Sequence, residues 1–442
     1  MRINIMPKNH LKTYEGAPAK HISAEAQLRR SLMACMLWED TFYEDGVSIS
    51  ERIASLVPQV EPKIVADVAI EAREKMKLRH APLWVVREMA RHEGHKALVA
   101  DVLSRVIQRA DELTEFVALY WKDKKQPLSK QVKKGLAKAF TKFDAYQLAK
   151  YDRDGAVKLR DVLFLCHAKP KDKEQEAIWK QLIDGTLPAP DTWEVSLSAG
   201  KDKKETWERL LSENKLGGLA LLRNLRNMAQ NNVNEQLIFE SLERMKTDRI
   251  LPFRFISAAK HAPQWESHIE KAMLKCLEGR EILPGRTVLL VDVSGSMDSF
   301  ISKKSDLMRH DAANGLAILA RELCEQVAIY SFSDKTVRIP DRHGFALRDA
   351  INHSQNHYGT RLGEAVKYVN TKEKYDRLIV LTDEQSHDPV PNPVHKSKAY
   401  MINVAAYKNG IGYGAWMHID GWSEAVIDYI LAYEKLNSDN NN

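Results

Sequence analysis

The hydrophobic period of this chain changes once, near residue 285, and that change constrains the fold more than any other feature. From about Glu25 to Glu278, apolar residues recur at spacings of three and four, as in Leu83–Ala90. That spacing is typical of amphipathic helices. Beyond the linker Glu281–Gly285, short apolar runs alternate with helical stretches. This alternation predicts a doubly wound, Rossmann-like sheet. We therefore expect a multidomain chain in which an all-α helical repeat precedes an α/β domain.

The chain has 442 residues, which is too long for a single ordinary core. We expect an N-terminal extension over residues 1–20, a helical-repeat domain over 21–280, an α/β domain over 285–436 and a disordered tail over 437–442. The strands predicted in the α/β domain are Val288–Val291, Val327–Phe332, Leu378–Leu381 and Tyr400–Val404. The helices predicted there lie around Asp311–Glu325, Arg361–Val369 and Trp422–Tyr433.

Oxygen-bearing side chains follow two of the predicted strands. Asp292, Ser294 and Ser296 stand on alternate residues at the end of the first strand, and Asp383 ends a second apolar run, Leu378–Asp383. Thr360 precedes a predicted helix. Open α/β sheets place their sites at the carboxyl ends of strands, and carboxylates with hydroxyls are hard ligands that suit Mg²⁺. The set resembles the metal-ion-dependent adhesion site of a von Willebrand factor A domain.

In this interpretation Asp292 carries the main charge on the ion, three hydroxyls add oxygen ligands, and Asp383 acts through a water molecule. A remaining coordination position is open to a carboxylate from a protein partner. The simpler alternative is that the serines only cap the following helix. A serine nucleophile is disfavoured because the Gly-x-Ser-x-Gly pattern is absent, so we expect no catalytic residue and no enzymatic activity.

Positive charge is concentrated in one part of the chain. The whole chain has a net charge of +6, whereas residues 122–173, called the basic segment below, hold 15 Lys and Arg against 6 Asp and Glu, a net of +9. Such a concentration is typical of a site for a polyanion, whereas an ordinary solvated surface mixes charges of both signs. The alternative is a surface for an acidic protein partner.

Within the basic segment, residues 130–142 have the pattern of an amphipathic helix. At about 100° per residue, Lys130, Lys134, Lys138 and Lys142 form one stripe about 18 Å long. Apolar side chains occupy the opposite face, where they would anchor the helix in a core. The predicted RNA contacts are Lys130, Lys133, Lys134, Lys138, Lys142, Lys150, Arg153, Arg160, His167 and Lys169. His167 precedes Pro170, so spacing alone predicts a helix-end residue satisfied by backbone carbonyls.

Four stretches together resemble the TROVE-domain family, namely Arg79–Arg91, Arg160–Pro170, Gly218–Met228 and Arg249–Phe253. The resemblance covers about residues 20–435. It implies a ring of HEAT-like helical repeats closed by a von Willebrand factor A domain. It also implies binding of small structured Y-like RNA and of single-stranded ends of misfolded RNA, with a 3′ exoribonuclease as a possible protein partner in RNA quality control. His167 matches the histidine with which the family contacts RNA.

The chain departs from the family pattern at two places. Family members commonly continue Arg-Asn/Asp-Gly into Trp-Ser/Thr-His, whereas Arg153-Asp-Gly155 is followed here by Ala156-Val-Lys-Leu159. Phe164 stands where an arginine is usual before the histidine. Both departures fall among the predicted RNA contacts, so they bear on which RNA is bound.

The remaining features indicate a cytoplasmic protein. The four cysteines are far apart and form no Cys-x-x-Cys pair, as expected of reduced thiols. No secretory signal is recognisable, and no run of about 18 apolar residues predicts a membrane span. We therefore expect a ribonucleoprotein scaffold without catalytic activity. The alternative is a metal-dependent protein-interaction scaffold that has no RNA ligand.

Overall fold

The computed structural model describes residues 11–19, 22–33, 45–198, 202–247, 250, 252–275, 277–301, 305–394, 398–405, 407, 409–411, 414–421 and 425–439. The helices in these residues are α1 Ala24–Met33, α2 Gly46–Leu56, α3 Pro62–Glu74, α4 His80–Met89, α5 Lys96–Val106, α6 Asp111–Tyr120, α7 Lys130–Phe140, α8 Ala145–Tyr151, α9 Leu159–Cys166, α10 Lys173–Asp184, α11 Trp193–Ser198, α12 Lys203–Ser212, α13 Gly218–Gln230, α14 Glu235–Arg244, α15 Pro252–His261, α16 Glu266–Lys275, α17 Arg309–Leu323, α18 Gly344–Asn352, α19 Leu362–Lys372 and α20 Ala425–Asp439. The strands are β1 Leu283–Asp292, β2 Cys324–Phe332, β3 Thr336–Arg338, β4 Arg377–Thr382, β5 Ala399–Asn403 and β6 Met417–Asp420.

The chain forms two compact units. The helical unit is Ser50–Lys246, and the sheet unit combines Met1–Ile49 with Thr247–Asn442. The fold class expected from the sequence, a helical region joined to a doubly wound α/β domain, is confirmed. The boundaries expected at residues 21 and 285 lie close to the starts of α1 and β1. Whether they separate domains stays a prediction.

In the helical unit, close contact between α5 and α7 depends on a glycine. The two helices pack side by side, and Gly135 lies in α7. A Cβ atom at Gly135 would lie 2.9 Å from the carbonyl oxygen of Ala100 and 2.9 Å from Cβ of Leu103. Because the first of these is backbone, it cannot turn away. The glycine therefore sets how closely α7 approaches α5.

We expect Gly135→Val to lower the free energy of unfolding by about 1–3 kcal/mol, the usual cost of overpacking a close-packed interior. The matched control is Ala137→Val, a half-buried position on the same helix, where only helix propensity is lost, at most about 0.7 kcal/mol. Urea unfolding of the two variants measures the difference. Equal midpoints would show that α5 moves aside at little cost.

A buried ion pair joins α3 to α6 in the same unit. The Arg73 guanidinium lies 2.5 Å from the Glu112 carboxylate, which is fully buried. Arg73 also donates to the carbonyl of Val106 at 2.8 Å. The second Glu112 oxygen accepts from the backbone N–H of Gln108 at 2.7 Å. Each polar group in this cluster thus has a partner, as buried charges require.

The sheet unit has the strand order β3-β2-β1-β4-β5-β6, with every pairing parallel except that of β2 with β3. β1 is paired on both sides, because Val288 faces Ala328 of β2 and Leu378 of β4. From β1 the chain first adds β2 and β3 on one side and then β4, β5 and β6 on the other. The position between β1 and β4 is therefore the topological switch point, where open α/β sheets bind ligands. Asp292 ends β1 and Asp383 follows β4 at that point.

The four strands expected from the sequence are all present, with bounds shifted by a few residues. The edge strands β3 and β6 were not predicted, because three or four residues give too little alternation to recognise. Helix α18 was also missed. Helix α20 continues to Asp439, and the disordered tail expected from residue 437 stays a prediction. Residues 440–442 lie outside the described residues.

The N-terminal segment is part of the sheet unit. Lys12 and Pro18 form an isolated antiparallel bridge, and the Thr13 hydroxyl donates to the carbonyl of Ser386 at 2.8 Å. Helix α1 contacts β6, and its Arg30 is only 1% exposed. Arg30 Nη2 lies 2.7 Å from Glu384 Oε2. Residues 11–19 and 22–33 are therefore attached to the carboxyl edge of the sheet.

Two of the four cysteines lie within the described residues. Cys166 and Cys324 are buried and form no disulfide, and burial raises the pKa of the Cys166 thiol to about 11. Both are thus inert side chains packed in cores. Cys35 and Cys276 lie outside the described residues. No described helix has the length and apolarity needed to cross a membrane.

Candidate metal site and basic surface

The carboxylate of Asp292 is held in one orientation at the end of β1. It is fully buried. Oδ1 accepts from the backbone N–H of Ser294 at 2.8 Å, and Oδ2 accepts from the hydroxyl of Thr382 at 2.6 Å. Thr382 ends β4, so this bond joins the two strand ends on either side of the switch point. The carboxylate is thereby oriented before any ligand arrives.

Hydroxyl oxygens lie beside this carboxylate. Ser294 Oγ and Ser296 Oγ are 3.2 Å apart in the short turn that follows β1. The backbone N–H of Gly295 donates to the carbonyl of Tyr358 at 3.0 Å, which brings the loop of Thr360 next to this turn. Thr360 in turn donates its backbone N–H to Nδ1 of His387 at 2.7 Å. The loops after β1, before α19 and after β4 therefore meet.

A second buried carboxylate, Asp383, shares this edge of the sheet and is 1% exposed. Burial, together with the neighbouring Asp383 carboxylate, raises the pKa of Asp292 to about 7. One positive charge is present, since Nη1 of the buried Arg309 lies 3.2 Å from Asp383 Oδ2. Two buried carboxylates beside one guanidinium make an environment that favours a further cation.

The donor set fits a hard divalent ion. All five predicted ligands, Asp292, Ser294, Ser296, Thr360 and Asp383, lie on these adjoining loops and offer only oxygen. Within the described ranges, no group of three or more His, Cys, Asp and Glu side chains could hold a metal ion. Hydroxyls must therefore complete any coordination sphere here, which is compatible with Mg²⁺ and disfavours metals that prefer imidazole or thiolate. Their role as ligands stays a prediction.

Arg309 is the residue of this edge that the sequence did not reveal. It is 1% exposed at the first position of α17, and Nη1 also lies 3.5 Å from the carbonyl oxygen of Ser296. An arginine at a helix start ordinarily lies in solvent. The sequence contains only a weak indication of this: Arg309 stands 13 residues after Ser296, and only the fold shows that its side chain contacts Asp383.

On the basic segment, α7 has the two faces expected from the sequence. Ser129 caps its start by accepting from the N–H of Val132. The apolar face is buried, with Val132, Leu136 and Phe140 fully enclosed. Lys130, Lys134 and Lys138 are exposed, and Lys133 is half-buried. An anchored helix therefore presents a row of ammonium groups to solvent.

The row is shorter than its sequence suggests, because α7 ends at Phe140 and Lys142 lies beyond the cap residue Thr141. Lys142 Nζ donates to the carbonyl of Ile107 at 3.0 Å and to that of Ser104. Burial lowers the pKa of this ammonium. Lys142 thus satisfies carbonyls at the C-terminal end of α5, whereas Lys130, Lys134 and Lys138 remain exposed on α7.

The other predicted RNA contacts are spread over the segment that follows. Lys150 Nζ lies 6.0 Å from the ring centroid of Tyr146 and 5.8 Å from that of Tyr151. Arg153, Arg160 and Lys169 are exposed. Their place on the surface is compatible with phosphate contact, and that role stays a prediction.

His167 caps the C-terminal end of α9 in the left-handed conformation, with φ of +54°. Its backbone N–H, not its ring, bonds to the carbonyls of Leu163 and Phe164. The side chain is exposed. A non-glycine residue in this conformation carries a small strain, and the structure places His167 at the helix end that its spacing predicted.

The fold and these surfaces define a class of protein: a helical region with a cationic row, joined to a doubly wound α/β domain with an oxygen-lined switch point. The TROVE domain model matches residues 23–186 and 185–357. Because these matches cover more than half of the sequence, the chain belongs to the TROVE-domain family. Proteins of this family bind RNA and are generally non-catalytic.

Comparison with solved structures gives the same fold. The crystal structure of the Deinococcus radiodurans Ro (RSR) protein matches with a TM-score of 0.62 at 19% identity, over 93% of this chain and 99% of that one. Telomerase protein component 1 of Mus musculus is 33% identical over 89 residues, and that of Rattus norvegicus is 32% identical over 89 residues. These matches span 19% of this chain and only 3% of either relative.

Proposed function

We propose that this protein is a non-catalytic ribonucleoprotein scaffold that holds small structured, Y-like RNA and the single-stranded ends of misfolded RNA. The observation that carries the proposal is the exposed row of Lys130, Lys134 and Lys138 on the anchored helix α7. Membership of an RNA-binding family supports it. A role in RNA quality control in the cytoplasm, with a 3′ exoribonuclease as partner, belongs to the same proposal.

The chemistry follows from the spacing of charge. Lysines four residues apart on one helix face lie about 6 Å from one another, close to the spacing of phosphates along a nucleic acid strand. Each phosphate neutralised by a lysine releases a condensed counterion, so the affinity should fall steeply as salt rises. The lysines contact phosphates, which are identical in every RNA sequence, and not the uncharged bases. This surface on its own therefore binds RNA without distinguishing its sequence.

In the α/β domain we propose that Asp292, Ser294, Ser296, Thr360 and Asp383 hold Mg²⁺. A bound ion of this kind supplies a Lewis-acidic position that accepts an oxygen ligand, such as a carboxylate from a protein partner. The chain's own residues orient the site, since Thr382 and Arg309 hold the two carboxylates by the bonds described above. The domain would then dock a partner on the scaffold.

The test is charge reversal on α7. We expect Lys134→Glu together with Lys138→Glu to weaken binding of a small structured RNA by about tenfold or more at low salt. The slope of log affinity against log salt should fall by about one for each lysine lost. Lys138 has an ion pair with Asp101 at 3.1 Å, but both side chains are more than half exposed, so the pair contributes little to stability. Fluorescence anisotropy with labelled RNA measures both quantities.

The matched control reverses two exposed lysines of α19, Lys367→Glu with Lys372→Glu, which changes the net charge equally. Unchanged affinity in the α7 variant at matched salt would contradict the proposed surface. If the complex purified from cells also has the ultraviolet absorbance ratio of protein without nucleic acid, the alternative is favoured: a protein-interaction scaffold that has no RNA ligand.

A further inference from the structure

The helical unit contains an open cavity of about 590 Å³ that is lined mostly by residues of the basic segment. Its walls come from the end of α6, the loop that leads into α7, the loop before α9, and α9 itself. The residues that form these walls are Trp121, Lys125, Gln126, Pro127, Ala156, Val157, Asp161, Phe164 and Leu165. The volume lies in the range of small-molecule pockets, and the walls combine two aromatic rings with a lysine.

Trp121 forms a rigid wall of this cavity. Its ring is half-buried, and its indole N–H donates to the carbonyl of Gln126 at 2.7 Å. Lys125 Nζ lies 5.1 Å from the ring centroid. The hydrogen bond fixes the orientation of the indole, and the ammonium next to it places a positive charge at the edge of the cavity.

Phe164 forms a second wall and is unusually exposed for a phenylalanine, at 58%. It lies on α9 one turn before the exposed His167. The part of an apolar ring that remains in contact with water does not contribute to the stability of the fold.

We infer that this cavity receives an unpaired base of single-stranded RNA, which stacks on Trp121 and Phe164 while the adjoining phosphate lies near Lys125. The inference rests on the proposed function. Every nucleobase has a flat face that stacks on aromatic rings. Phe164 lies within the basic segment of net charge +9 and Trp121 directly precedes that segment, so the pair suits a polyanion with flat apolar groups better than an apolar peptide. The Asp161 carboxylate, held by the backbone N–H of Lys158 at 2.9 Å, gives the cavity a polar wall.

The experiment compares two ligands and three proteins. The ligands are a short unstructured RNA and an oligonucleotide of equal length and charge whose central nucleotides are abasic. The proteins are the wild type, Phe164→Ala and the conservative variant Phe164→Tyr. We expect Phe164→Ala to weaken binding of the RNA about fivefold or more, the effect of losing one base–aromatic stack. Binding of the abasic ligand should be unchanged, and Phe164→Tyr should bind both ligands as the wild type does.

The outcomes separate this inference from the proposed function. If Phe164→Ala binds the RNA as tightly as the wild type does, or loses equal affinity for both ligands, the base cavity is overturned. The charge-reversal variant of α7 then still tests the basic surface by itself. If the wild type binds no RNA at low salt, the proposed function fails instead. A thermal melt of Phe164→Ala guards against misfolding, and the ring's exposure predicts a melting temperature like that of the wild type.

Discussion

Replacing Arg30 with methionine is expected to lower the free energy of unfolding by about 3–5 kcal/mol, the usual result of removing one partner of a buried ion pair. Arg30 is 1% exposed on α1. Its guanidinium lies 2.7 Å from Glu384 Oε2 and 3.2 Å from Asp420 Oδ1. Methionine fills much of the volume but carries no charge. Two carboxylates at the carboxyl edge of the sheet would then remain buried without this cation.

The neighbouring groups cannot replace the arginine. His418 Nδ1 lies 2.8 Å from Glu384 Oε1, and Asn403 donates to Asp420 Oδ1 at 3.0 Å. Burial acts to raise the pKa of Glu384, but the attraction of Arg30 and His418 outweighs it, and the pKa lies below its usual range. At Asp420 burial prevails and the pKa is raised. Both carboxylates therefore rely on Arg30 to oppose the effect of burial on their charged form.

Urea unfolding followed by tryptophan fluorescence measures the loss. The control is Arg29→Met on the same helix, where the side chain is 34% exposed and pairs with Glu25, so that less than about 1 kcal/mol is expected. Adding Glu384→Gln and Asp420→Asn to Arg30→Met should restore part of the stability, because no uncompensated charge then remains. A midpoint of Arg30→Met equal to that of the control would show that α1 does not depend on this cluster.

The contrast between Arg30 and the strands shows what could be predicted from the sequence. Strands β1 and β4 are buried on both faces, so each is a continuous apolar run that local pattern identifies. Arg30 lies in an ordinary amphipathic helix, and its partners follow 354 and 390 residues later. Nothing in the local pattern distinguishes a buried arginine from an exposed one. The attachment of α1 to the sheet is a property of the tertiary structure alone.

The candidate sites show the same division. The sequence was enough to predict that the loops of Asp292, Thr360 and Asp383 lie close together, because the carboxyl ends of parallel strands share one edge of a sheet. Periodicity also gave the correct faces of α7. It could not show that the helix ends at Phe140, which removes Lys142 from the row and places its ammonium on the carbonyls of α5. Helix ends depend on capping and packing more than on periodicity.

The second large effect is expected at the proposed metal site. Mg²⁺ at about one hundred times its dissociation constant should stabilise the protein by about 2.7 kcal/mol, provided that the unfolded chain does not bind the ion. Asp292→Asn should abolish this response, because the buried charge that attracts the ion is lost. In the absence of Mg²⁺ the same variant should change the stability by much less than the loss of the response to the ion does. An asparagine retains an oxygen that accepts from the N–H of Ser294 and removes the repulsion from Asp383, which offsets the loss of the oxygen that accepts from the hydroxyl of Thr382.

Thermal melts in chelator and in rising Mg²⁺, at constant ionic strength, separate these effects. The control is Asp388→Asn: this carboxylate accepts from the backbone N–H groups of Gly363 and Glu364 at the start of α19, at 2.9 and 2.7 Å. Because that role is to cap a helix, the control should lower the melting temperature and leave the response to Mg²⁺ intact. An equal response in Asp292→Asn and the wild type would mean that the ion binds elsewhere. The buried carboxylate would then serve only to join β1 to β4 through Thr382.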